Sequence, residues 1–86
     1  MRTLVVDQYF EITSLSGTLA YDPLDKAVNI HIHISVSDEY GNCLGGHLLE
    51  GSIIWTTAEV TILKSTHQKF LRKLDNATGF RELVIA

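Results

Sequence analysis

The sequence predicts an α+β fold: a mostly antiparallel β-sheet carrying one short helix. Three observations lead there. Residues 28–37 alternate without a fault, with Val28, Ile30, Ile32, Ile34 and Val36 on one face and Asn29, His31, His33, Ser35 and Ser37 on the other, the period-two pattern of a strand with one face buried. Residues 53–63, IIWTTAEVTIL, are nearly all β-branched or apolar, as in a central strand covered on both sides. Helical spacing occurs late, at residues 65–74, where Phe70, Leu71 and Leu74 form an apolar stripe behind Ser65 or Thr66 as the cap.

The remaining elements follow in chain order. Residues 9–19, YFEITSLSGTL, mix aromatic and β-branched residues and read as a strand that bends at a bulge near Ser14–Gly17. Tyr21-Asp22-Pro23-Leu24-Asp25 is a turn in which proline presets φ. After the strand at 28–37 comes a turn at Asp38–Asn42, a strand at 43–49, a turn at Gly51, then the apolar strand and the helix. Thr78-Gly79 breaks the chain, and Leu83–Ile85 form a last strand. Phe10, Trp55 and Phe80 belong in the core or at a subunit interface, and the isolated His67 in solvent.

Composition bounds the function. All 86 residues form a single domain, 45% apolar and 20% charged, as in soluble globular proteins. A chain this short buries only about 60–65% of its unfolded surface, so oligomerisation is an expected aid. No apolar run approaches the roughly 18 residues of a membrane span, and Leu4–Val6 is too short for a signal peptide. The single Cys43 reads as a small buried hydrophobe in a reducing, cytoplasmic or nuclear, compartment. A net charge of −3 lacks the concentrated positive surface of a phosphate-binding protein.

The turn at Asp38–Asn42 sets a register. If Glu39-Tyr40-Gly41 is a type I turn followed by a left-handed residue, Gly41 takes the left-handed position and Asp38 pairs with Asn42. Val36 then faces Leu44, Ile34 faces Gly46 and Ile32 faces Leu48 on the apolar side, and His33 faces His47 on the other. A one-residue slip would turn Leu44 and Leu48 to the wrong side. His31 lies roughly 6.5–7 Å from His33 along the same face, and the His47 Cβ is about 5 Å from that of His33.

Three imidazoles so placed can converge on one ion. Zinc takes imidazole nitrogen at about 2.0–2.1 Å, and three protein ligands with an open fourth position mark a catalytic or exchangeable site. Gly45 and Gly46 keep side chains away from His47. The competing reading is three polar-face histidines, hydrogen-bonded or solvated. Glu11, Glu50 and Glu59 are candidates for a fourth ligand, whereas Cys43 shares the face but sits four residues from His47.

Beyond these residues, the order "SLSGTL", "VNIHIHISVSDEYGNCLGGHLLEG", "TTAEVTI", "FLRKLDNATGFRELVI" resembles the plants-and-prokaryotes-conserved (PPC) domain, which in plant proteins follows AT-hooks. The likeness runs from about Phe10 to Ile85 and rests on H-x-H, G-G-H-L and T-A-E-V in that order. It implies an α/β domain with a mostly antiparallel sheet, assembling as a homotrimer, and a prokaryotic-type member whose metal ligands are His31, His33 and His47, with zinc the first choice. Two departures stand out. The family's N-terminal strand-helix-strand portion is missing before Ser14, so the chain reads as shortened; either that layer is dispensable, or a neighbouring subunit takes its place, or the uncovered sheet face is a binding surface, with subunit contact the favoured expectation. No AT-hook is present, which excludes that route into the DNA minor groove.

Three functions follow as expectations. The first is a trimeric metal-binding module. The second is a DNA-associated regulatory protein without an AT-hook, using Lys64, Lys69, Arg72 and Lys73 if they share a surface, against the plainer reading of a solvated helix face. Arg72 and Asp75 sit together in the F-L-R-K-L-D segment, in a surface role or an intersubunit ion pair. The third is a hydrolase or lyase using metal-bound water with Glu59 as acid or base, against a carboxylate simply paired across the sheet. No nucleophile motif is present, since Ser14 and Ser16 lack the G-x-S-x-G pattern, and the balance leans away from an enzyme.

Overall fold

A computed structural model describes residues 3–86. Five strands form one mixed sheet: β1 (Glu11–Asp22), β2 (Ala27–Ser37), β3 (Cys43–His47), β4 (Phe70–Leu74) and β5 (Arg81–Ile85), in spatial order β3-β2-β1-β4-β5. All neighbours are antiparallel except β1 and β4, which run parallel. The hairpin register is the expected one, with His33 opposite His47, Ile34 opposite Gly46 and Val36 opposite Leu44. The Leu48 amide continues the pairing by donating to the Ile32 carbonyl at 2.9 Å.

Local chemistry explains the turns. Asp38 N–H donates to the Asn42 carbonyl at 3.0 Å and Gly41 has φ +82°, the left-handed position that glycine occupies without strain. The Asp38 carboxylate locks the loop, accepting from the amides of Tyr40 and Asn42 and from the Asn42 side chain. The Asn42 side-chain bond leads in holding Asp38 below its ordinary value of 3.8, against the opposing effect of desolvation. A carboxyl with a depressed folded-state value stabilises the fold above its unfolded pKa and loses that contribution as pH falls through the folded value. Thermal melting is therefore expected to be flat near neutrality and to drop below about pH 4, with a smaller drop in Asp38→Asn. An equal acid response in the two proteins would refute this.

Three expectations are corrected. There is no helix at residues 65–74. The Ser65 Oγ accepts from the amides of His67 and Gln68, but this is a local turn with no helix behind it, and Lys69 and Ala86 then exchange both backbone bonds at 2.7 and 2.9 Å and open the β4–β5 ladder. A non-local strand partner thus takes the amides that a helix would have used locally, and a short helix has little propensity with which to compete. The second correction concerns residues 53–63, which join no ladder. β1, β2 and β4 have both edges occupied, and the open edges of β3 and β5 are not paired with this segment, so it has no ladder partner among the described residues. Cys43 is exposed rather than buried, because it opens an edge strand.

The bulge is also displaced. The register of β1 against β2 shifts between Ile12 and Ser14, leaving Thr13 as the extra residue, upstream of Gly17. Gly17 has a different task, since a methyl group there would collide with the His31 carbonyl oxygen and lie 2.8 Å from the Ile32 Cα. Gly17→Ala is expected to cost about 1–3 kcal/mol, the usual penalty of forced overpacking. A denaturant midpoint equal to that of the parent would contradict the close approach.

The sheet has almost no covering layer. Ala20 is the one buried apolar residue among those described, and on the apolar face Ile30 is 66% exposed. The radius of gyration is 15.5 Å, against about 12 Å for a compact domain of this length. The accessible surface is 7838 Å², where about 5,100 Å² is typical for this mass. A single chain therefore leaves unburied most of the apolar surface that its strands present.

Candidate metal centre

Alternation along β2 and register across β3 bring the three predicted histidines together. His31 and His33 are neighbours on one strand, and His47 is the direct cross-strand partner of His33. Ring centroids are 5.0 Å apart for His31–His33, 5.0 Å for His31–His47 and 4.2 Å for His33–His47. The Nε2 atoms of His31 and His33 are 3.1 Å apart, and one ring nitrogen from each of the three lies within 4.8 Å of the others. Tetrahedral zinc bonds of about 2.0–2.1 Å imply nitrogen–nitrogen separations near 3.3 Å, so modest side-chain rotation would close the set. Three imidazoles are also a donor chemistry suited to zinc.

Thr18 of β1 lies opposite His31 and Ser16 opposite His33, forming the floor of the site. Gly45 of β3 pairs with Ser35, and a Cβ there would stand 3.3 Å from the Ile34 carbonyl oxygen. Desolvation first, then the positive charge of Arg72 and the imidazoles of His47 and His33, hold His31 below its ordinary value of 6.5. That favours the neutral imidazole, the form that binds metal. Glu11, Glu50 and Glu59 do not join the cluster, nor does Cys43. His67 lies apart and exposed.

Arg72 belongs to this neighbourhood, which the sequence reading missed. As part of a strand it alternates with Lys73, shares the face of Asp22 and Thr18, and is only 8% exposed. One terminal nitrogen donates to Thr18 Oγ1 at 3.1 Å. Buried Arg72 therefore cannot join Lys64, Lys69 and Lys73 in the basic surface weighed as an alternative, and the helix whose solvated face was the plainer reading is absent; Asp75 accepts the Ala77 amide in the β4–β5 turn. The signal lay in F-L-R-K-L, whose alternation fits a strand as well as its stripe fits a helix. Arg81 forms an ion pair with the buried Asp22, which also accepts from the amides of Leu24 and Asp25. Burial alone would raise the Asp22 carboxyl, but these bonds outweigh it and the net value is lowered.

The signature of the Plants and Prokaryotes Conserved (PCC) domain, the PPC family of the resemblance above, matches residues 1–66. The chain belongs to this family. The match contains all three histidines of the cluster and ends before β4 and β5, so the PCC signature does not include Arg72 or Arg81. Two proteins named "Bifunctional protein GlmU", from Synechococcus sp. strains JA-3-3Ab and JA-2-3B'a(2-13), are each 40% identical to the chain over 81 residues. That alignment covers 94% of this chain but 12% of either relative. No solved structure matches the chain. No helix among the described residues is long and apolar enough to cross a membrane.

Proposed function

We propose that this PCC domain is a homo-oligomeric module, a trimer by the family resemblance, that holds one divalent metal per chain, zinc first, on His31, His33 and His47. The observation that carries the reading is the approach of three ring nitrogens to within 4.8 Å of one another on the β2–β3 hairpin. When bound, zinc would supply Lewis acidity at an open position. The hairpin supplies pre-orientation through the Asp38 loop and the close contact of Gly17.

Oligomerisation is supported by the excess surface and by residues 53–63, whose Trp55 is 73% and Leu63 90% exposed. A β-branched, apolar segment without a ladder is suited to pairing with, or packing on, a second copy. Trp55 and Phe80, expected in the core or at a subunit interface, are not in a core of the single chain, and their exposure leaves them available to an interface. The similarity to a small share of two much longer proteins fits a module used in different contexts. A DNA-associated role has less support, because the net charge is −3 and Arg72 is turned inward.

Native mass spectrometry of protein prepared without added metal tests both parts. The expected species is a trimer carrying one zinc per chain. A metal-free monomer would overturn the proposal.

A further inference from the structure

Arg72 is a buried cation without a counter-ion. Its Nε has no hydrogen-bond partner, its terminal nitrogen meets only the neutral Thr18 hydroxyl, and the carboxylate on that face, Asp22, is paired with Arg81. No carboxylate among the described residues lies within ion-pair distance of Arg72. Burial of an unpaired charge is unfavourable, and such groups are normally matched by an opposite charge. A cleft of about 350 Å³ opens beside it, with Asn29, His31, His47, Arg72 and Arg81 in its walls. Glu82 is also in the lining, but it is exposed and accepts the Thr78 hydroxyl at 3.2 Å.

We propose that this cleft binds the oxyanion group of a small molecule, a carboxylate or a phosphate, between the Arg72 guanidinium and the histidine cluster. Charge and shape both point to it. A divalent ion on the three imidazoles, with Arg72 and Arg81 nearby, would concentrate positive charge that the one carboxylate in the lining, the exposed Glu82, only partly offsets. An oxyanion offers acceptors to the guanidinium, whose planar donors match carboxylate and phosphate. The volume falls within the usual range for small-molecule sites, and Phe80 provides an apolar wall for the rest of such a ligand. The Arg72 half of the site stands without a metal, whereas tighter binding on zinc loading rests on the metal reading above.

The test is titration with inorganic phosphate and, separately, acetate, followed by the 15N signal of the Arg72 side chain in zinc-loaded and chelator-treated protein. Saturable movement of that signal is expected, with affinity about tenfold or more higher in the zinc-loaded form. The probe that binds more tightly identifies the oxyanion class. Arg72→Met is expected to weaken binding about tenfold or more. Asn29→Asp places a carboxylate in the cleft from an exposed position, and is expected to remove probe binding and raise the melting temperature, which keeps the proposal falsifiable if Arg72→Met does not fold. An Arg72 signal unmoved by either probe, or an Asn29→Asp protein that binds as the parent does, would overturn the proposal. Zinc uptake without any Arg72 response refutes this inference alone, and a response in protein that takes up no zinc refutes the metal reading alone.

Discussion

His33→Ala is expected to lower zinc affinity about a hundredfold or more, because removal of a direct ligand should cost at least as much as the 10–100-fold typical of losing an outer hydrogen-bond partner. His33 occupies the middle of the cluster, 3.1 Å from His31 between Nε2 atoms and 4.2 Å from His47 between ring centroids. Its loss leaves two imidazoles whose centroids are 5.0 Å apart, too few donors for a tight tetrahedral site. All three side chains are exposed, so the change removes no core packing and the fold should survive. His67→Ala and Cys43→Ser serve as controls and should bind as the parent does. Competition titration against a chromophoric chelator gives the affinities, and an unchanged His33→Ala value would leave the histidines as ordinary polar-face residues.

The second large effect is expected from Ile62→Asp. Ile62 is 69% exposed in the single chain, and a substitution at such a position normally changes stability by less than about 0.5 kcal/mol. If residues 53–63 instead pack into a second copy, the change removes about 2 kcal/mol of apolar burial and desolvates a carboxylate. A closed trimer repeats that loss at three equivalent interfaces, so the assembly constant should fall about 10⁴-fold. Light scattering across a dilution series should then show the parent as a trimer and the variant as a monomer. Equal masses and equal melting temperatures would place Ile62 outside any interface.

The hairpin was legible because two independent constraints agree on it. Period-two alternation chose the face of every side chain from Val28 to Val36, and Gly41 with Asp38 allowed one loop length, so His33 had to meet His47. The histidine cluster was thus an arithmetic consequence of local pattern. The segment FLRKL was not legible in that way, for its apolar spacing suits either period. Its outcome was decided by Lys69 finding Ala86 and by Tyr21 pairing with Leu71, contacts that span many residues. Residues 53–63 show the converse: strand propensity is plain in the letters, yet a ladder also requires pairing with a neighbouring edge, and the open edges of β3 and β5 do not take this segment.

By itself, then, the sequence determined a β-rich chain, the β2–β3 register and the placing of three imidazoles on one face, because these depend on alternation and one tight turn. Only the tertiary structure decided that Arg72 is buried beside those imidazoles, that Asp22 is paired with Arg81 rather than with Arg72, and that the apolar segment stands uncovered. Those facts follow from which distant strands meet, and strand pairing across long separations is governed by the whole set of competing partners rather than by any local pattern.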